Sequence, residues 1–162
     1  NDPRIWRSEK YSGLIKALTD IGFIVFLTGS RAERKINISI ISELRNNDKV
    51  VDTSGIFNIQ ELCYFIKQMQ WFISGDTGPA HIAAAANVNQ ICLCGPTPGE
   101  FSGPRRRPNL FIIQKNPADC PPKYHISVDN CKNCKSVRCM DNIEISDVIN
   151  LINKKVKQVN GI

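Results

Sequence analysis

In Phe72-Ile73-Ser74-Gly75-Asp76-Thr77-Gly78-Pro79-Ala80-His81, an apolar run breaks at a glycine and passes an acid and a hydroxyl. It then restarts as the alanine-rich segment Ile82–Ala86. A strand, a glycine loop and a helix N-terminus in this order make an anion site. The first N–H groups of a helix have no partner within it, and the positive end of the helix dipole faces the same way. Pro79 suits a first turn, where an N–H is spare. Gly75 and Gly78 let a phosphate approach the backbone closely, and Thr77 adds a hydroxyl donor. A carboxylate repels a phosphate, so Asp76 reads either as an anchor for its own loop or as an acceptor for a sugar hydroxyl. His81 reads either as a titratable member of the site or as a structural histidine.

The elements that must position these residues are legible as alternating periodicities. Residues 9–21 carry Tyr11, Leu14, Ile15, Leu18 and Ile21 at helical spacing, with Gly22 as the stop. Phe23–Leu27 is a continuous apolar run, as for a strand buried on both faces, and Thr28-Gly29-Ser30 turns after it. Ile36, Ile40, Ile41 and Leu44 mark a second helix, and Val50-Val51 a short strand. Asn58 and Glu61 resemble a capping box for a helix carrying Leu62, Ile66 and Met69. Trp71–Ile73, Gln90–Cys94 and Leu110–Ile113 read as strands. Residues 96–108 hold four prolines and read as a rigid loop, and residues 115–144 read as irregular. Ser146 is placed to cap a last helix over about 145–158, with Val148, Leu151, Ile152 and Val159 on its apolar face. This order predicts one α/β domain over residues 1–162, an open parallel sheet with helices on both faces. Ligands of such sheets sit at the C-terminal ends of the strands. The loops at Thr28, Gly75 and Gly95 all fall there.

With 162 residues and 42% hydrophobic content, a single domain with a substantial core is expected. No apolar run approaches the roughly 20 residues of a membrane span. No secretory leader is recognisable, and the opening Asn1-Asp2-Pro3 lacks a methionine, as in a fragment. A net charge of +6 points to an anionic partner. Cys63, Cys92 and Cys94 sit among apolar residues and read as buried small hydrophobes. Cys120, Cys131, Cys134 and Cys139 cluster in a polar stretch. They read either as ligands of a structural zinc, with His125 as a substitute ligand, or as thiols and disulfides. Only one CxxC pair is present.

The stretch Ser74–Ala85, followed by Cys94-Gly95-Pro96-Thr97 and Gly103-Pro104, resembles glycosyltransferase family 9, the heptosyltransferase type. Trp6 ahead of the first helix, the Thr28-Gly29 turn, Gly55 and the cysteine region agree in order. The resemblance covers nearly the whole chain and corresponds to the Rossmann-like, donor-binding C-terminal half of a GT-B enzyme. It implies inverting, metal-independent transfer of a sugar from a nucleotide-sugar such as ADP-heptose to an anionic, lipopolysaccharide-type glycolipid. The general base of such enzymes belongs to the N-terminal domain, so no catalytic residue is expected in this chain, which would bind donor without transferring sugar alone. The resemblance also implies a bacterial cytoplasmic enzyme at the inner face of the inner membrane, with peripheral membrane contact.

Residue by residue, the resemblance assigns Asp76, Thr77, Gly78 and His81 to the donor. Arg4, two residues before Trp6, stands where the family often has a lysine reaching the phosphates. Thr28 and Gly29 would line the nucleotide pocket, Glu33 would hold the ribose, and Phe57 would lie near the base. Gly95, Pro96 and Thr97 would shape the pocket floor. Arg105-Arg106-Arg107 reads as a solvated loop or as a contact for a phosphorylated acceptor. Two rival readings stand beside this one: a non-catalytic nucleotide-binding module, and a zinc-stabilised basic nucleic-acid binder. Nucleic acid is not expected, because the basic loop has almost no interleaved aromatics. Neither the GxGxxG fingerprint nor a GxxxxGK[ST] loop is present, which argues against an NAD-type domain and an NTPase.

Overall fold

A computed structural model describes residues 4–45, 47–100, 102–116 and 138–160, the last with backbone alone at 138 and 158–160. Two compact units emerge. One comprises Asn1–Trp6 and Ile59–Ile143, the other Arg7–Asn58 and Glu144–Ile162.

The second unit holds helix α1 (Ser8–Asp20), strand β1 (Val25–Leu27), helix α2 (Arg34–Glu43), strand β2 (Val50–Asp52) and, at the end of the chain, a helix over Ile145–Asn160. Strands β1 and β2 pair in parallel, with Val25 opposite Val50 and Leu27 opposite Asp52. Ile15, Ile40 and Val50 are buried together, with Tyr11, Val25, Leu27, Ile41 and Leu44 against them. The expected strand at Phe23–Leu27 is shorter and only half-buried, and Ile24 is 62% exposed. Gly22, at φ +100°, turns the chain, and pairing begins only at Val25, whose N–H donates to Lys49 O at 2.8 Å. Ile21 and Ile36 are exposed and do not belong to the core faces that their spacing suggested.

The other unit carries α3 (Ile59–Lys67), β3 (Trp71–Gly75), α4 (Gly78–Ala86), β4 (Asn89–Cys94) and β5 (Leu110–Gln114), then a short helix α5 (Arg138–Asp141) inside the stretch expected to be irregular. The strands are parallel in the order β3-β4-β5, with Gly75 opposite Leu93 and Cys94 opposite Gln114. Helix α4 makes the crossover from β3 to β4. The connection from β4 to β5 is the proline-rich loop. Central strand β4 is the most buried, with Ile91, Cys92, Leu93 and Cys94 inaccessible. Ile66, Phe72, Ala83 and Val88 form one apolar cluster, and Ala80, Cys92 and Cys94 another. Trp6 is buried and its indole N–H donates to Ile143 O at 3.1 Å.

The terminal helix, α6 (Ile145–Asn160), begins one residue before Ser146, which is therefore not its cap. The Asp147 carboxylate accepts the Glu144 N–H at 2.8 Å instead, the backward half of a capping box. Val148 and Ile152 are buried and Leu151 is half-buried, as the spacing required; the side chain of Val159 is outside the described residues. Helix α6 packs on α1, where a Cβ at Gly13 would meet Ile145 Cδ1 at 2.5 Å. Of the cysteines read as buried, Cys92 and Cys94 are, while Cys63 is only half-buried on α3.

Candidate functional site: the loop between β3 and α4

Strand β3 ends at Gly75, and α4 starts at Gly78 with Pro79 in its first turn. Thr77 occupies the N-cap with extended backbone (φ −142°, ψ 170°), yet its side chain makes no capping hydrogen bond. Its hydroxyl, exposed, lies 3.5 Å from Gly75 O. A Cβ built on Gly78 meets no heavy atom within 4 Å. The protein thus leaves the start of α4 open, with its dipole uncompensated by any acid in the first turn. Arg4 is brought to the same loop: its carbonyl oxygen lies 3.7 Å from the Cβ position of Gly75. Its side chain is exposed.

Asp76 does not face this anion-attracting end unpaired. Ser102, from the β4–β5 loop, donates its hydroxyl to Asp76 Oδ2. His81 Nε2 lies 4.0 Å from Asp76 Oδ1, an ion pair whenever the imidazole is protonated. The carboxylate is largely shielded while the imidazole is half exposed.

Gln90, Arg107 and Gln114 hold this arrangement beside Ser102, and of the four only Arg107 lies in a stretch that the sequence singled out. Gln90 is fully buried beneath α4 and donates Nε2 to Ala80 O at 2.8 Å. Its Oε1 accepts from Arg107 Nη2 at 2.7 Å. Arg107 also donates to Ala83 O at 3.1 Å and Ala84 O at 2.7 Å, capping the C-terminal end of α4. Gln114 donates to Gly95 O and Thr97 O, both at 2.8 Å, and accepts the Gly99 N–H at 3.3 Å. Gly95 and Pro96 are buried, so this segment forms a fixed floor after β4, with Thr97 partly exposed. A glutamine inside an apolar strand was a readable signal, because a buried amide demands partners. Ser102 carried no such signal.

The triple arginine therefore divides. Arg107 turns inward, and burial pulls the pKa of its guanidinium down. Arg106 pairs with Glu100 at the surface, and Arg105 is exposed. Neither the solvated-loop reading nor the acceptor reading fits Arg107.

Beneath α4, Cys92 and Cys94 bring their sulfurs to 3.7 Å. The hydrogen bond between them, then burial, pushes the Cys92 pKa far up, so Cys92 is a neutral packing thiol. Among the described residues, no three His, Cys, Asp or Glu side chains come together as metal ligands. Cys120, Cys131, Cys134 and His125 lie outside the described residues; Cys139 sits on α5, half-buried. A shallow cavity of about 700 Å³ opens at the opposite end of this sheet, lined by Cys63, Lys67, Gln70, Asn87, Asn89 and Asn109 among others. It includes none of residues 75–81.

The remaining candidates belong to the other unit. Thr28 and Gly29 follow β1, and Gly29 O accepts the Gly55 N–H at 2.7 Å. Glu33 is exposed, with Oε2 accepting the Ser30 N–H and hydroxyl, both at 2.7 Å; it starts its own helix. Phe57 is half-buried in the segment after β2. Asp52, at the end of β2, escaped the sequence reading. Burial raises its pKa, but hydrogen bonds from Ser54 and Asn37 and the charge of Arg34 outweigh this and leave it lowered. A lowered carboxyl pKa adds stability above the unfolded value of about 3.9, which is lost as pH falls through the folded value. The stability difference between wild type and Asp52→Asn should therefore be present at pH 6 and shrink steadily from about pH 4 downward. Urea unfolding across that range checks it.

Comparison with known proteins agrees with this architecture. Residues 2–128 match the model of glycosyltransferase family 9 (heptosyltransferase). Lipopolysaccharide heptosyltransferase 3 of Escherichia coli is 34% identical over 104 residues, covering 62% of this chain and 30% of that protein. The structure of E. coli ADP-heptose LPS heptosyltransferase II superposes with a TM-score of 0.80 at 21% identity, over 99% of this chain and 44% of that one. E. coli heptosyltransferase WaaC with ADP gives 0.71 at 17% identity, over 95% and 41%. These superpositions bear out the fold: parallel sheets with alternating helices, matching part of a GT-B heptosyltransferase. The chain spans less than half the length of each of these relatives. With both its sequence and its fold matching, the chain belongs to glycosyltransferase family 9, the heptosyltransferase family.

Proposed function

We propose that this chain is the donor-binding half of an inverting heptosyltransferase, and that the start of α4 holds the donor diphosphate. The observation that carries this is the open helix N-terminus: Thr77 is uncapped by its side chain, and Gly78 has empty space above it. Backbone N–H groups and the Thr77 hydroxyl would bind phosphate oxygens, with Arg4 supplying a cation. As the sugar leaves, negative charge grows on the diphosphate, and donors fixed in advance stabilise that charge without a metal. The pairing of Asp76 with Ser102 offsets the repulsion a free carboxylate would exert there. For Thr28, Gly29, Glu33 and Phe57, the nucleoside role rests on the family resemblance. The acceptor, a lipopolysaccharide-type glycolipid, and the base that activates its hydroxyl are assigned to the other half of such an enzyme. A cytoplasmic place at the inner membrane face follows from the same reading; no described helix is long and apolar enough to cross a membrane.

Calorimetric titration with ADP, GDP and UDP in metal-free buffer tests the proposal. Saturable binding of ADP, and weaker or no binding of the other two, is expected. Failure of a folded chain to bind any of them contradicts it.

A further inference from the structure

Resting on the donor-site reading, we propose that Ser102 is a positioning residue that aims the Asp76 carboxylate at the sugar of the donor. The Ser102 hydroxyl has one proton and two acceptors in reach: Asp76 Oδ2 in hydrogen-bond contact, and Pro98 O at 3.4 Å. The carboxylate is charged and closer, so it takes the proton. That leaves Oδ1 as the oxygen nearer His81, 4.0 Å from Nε2. Asp76 is thus held from one side by a hydroxyl of another loop, and it cannot rotate freely toward the phosphates bound two residues on.

The backbone around Ser102 is shaped to deliver that hydroxyl. Its N–H donates to Pro98 O at 3.2 Å, and the Gly103 N–H donates to Gly99 O at 3.2 Å, a turn that ties 102–103 back to 98–99. At Gly103 a Cβ would stand 2.3 Å from Gly99 O, a backbone atom that cannot swing aside. At Gly99 a Cβ would stand 2.7 Å from the buried Cys94 Sγ and 2.8 Å from Ile112 Cγ2. The turn is therefore seated on β4 and β5, and Gln114 fixes its entry at Gly95 and Thr97. Its one hydroxyl reaches across to the end of β3. A carboxylate held this way is an acceptor pre-set for a neutral donor, such as a sugar hydroxyl, and its negative charge suits no phosphate oxygen.

The consequence is selective. Ser102 should matter for the sugar-bearing nucleotide and little for the nucleotide alone. The test titrates the full chain with ADP and with ADP-heptose, comparing wild type with Ser102→Thr and Ser102→Val, a pair that differ in the hydroxyl but hardly in shape. Thermal unfolding of both variants checks that they fold alike. Ser102→Thr should keep the wild-type ratio of the two affinities. Ser102→Val should lose about tenfold in ADP-heptose affinity while ADP affinity stays within about twofold. Equal losses for both ligands, or no loss for either, would overturn the role of Ser102 while leaving the donor site intact. If wild type binds neither ligand, the donor-site reading fails, and this inference falls with it.

Discussion

Arg107→Ala should lower the stability of the chain by about 3 kcal/mol, far more than either neighbouring arginine. The guanidinium bonds Ala83 O, Ala84 O and Gln90 Oε1 at once. Alanine would strip two carbonyls at the negative end of α4 of a cation and leave the amide oxygen of a fully buried glutamine without its donor. Lysine cannot replace the fork, because a single ammonium does not reach three acceptors in that plane. The gain from Arg107 is offset in part by desolvation, since its Nε is buried with no partner among the described residues. Arg106→Ala, which breaks only a surface pair with Glu100, should change stability by no more than about 0.5 kcal/mol. Urea unfolding of the three proteins measures the contrast. Equal and small losses at both positions would show that the Arg107 bonds add nothing.

The second large effect is on binding and not on stability. The double substitution Thr77→Val, Gly78→Ala should reduce nucleotide affinity by roughly tenfold to a hundredfold. Valine removes the hydroxyl donor, and the new methyl at residue 78 fills the space a phosphate must enter. Folding should be untouched, within about 0.5 kcal/mol. The Thr77 side chain caps nothing, and a Cβ at Gly78 meets nothing in the unliganded chain. That combination separates a ligand site from a structural turn, because a turn needed only for folding would show the opposite pattern.

What the sequence disclosed follows the strength of its local signals. The β3–α4 loop was legible because strand, glycine, hydroxyl, proline and alanine run each carry a local rule that points to the same geometry. The buried strand β4 was legible from its apolar run. The supporting residues were harder, since their roles depend on partners distant in the chain: Arg107 reaches back to residues 83, 84 and 90, and Gln114 to 95 and 97. Within a run of three arginines nothing local says which one turns inward. Ser102 meets Asp76 only because the connection from β4 to β5 brings it back across 26 positions. Helical spacing also overstated the core, for Ile21 and Ile36 fit a periodic face yet lie at its exposed rim. Ser146 has the residue type of a helix cap, but the helix already includes it, and Asp147 in the first turn reaches back to accept the Glu144 N–H instead.

In the proposed donor site, the N–H groups at the start of α4 bind the diphosphate. Two-dimensional amide NMR of the isotope-labelled chain, titrated with ADP without divalent metal, tests this residue by residue. The account predicts saturable shifts that are largest for the amides of residues 75–78, 80 and 81, and their absence in the Thr77→Val, Gly78→Ala variant. Saturable binding that leaves those amides unmoved would contradict it.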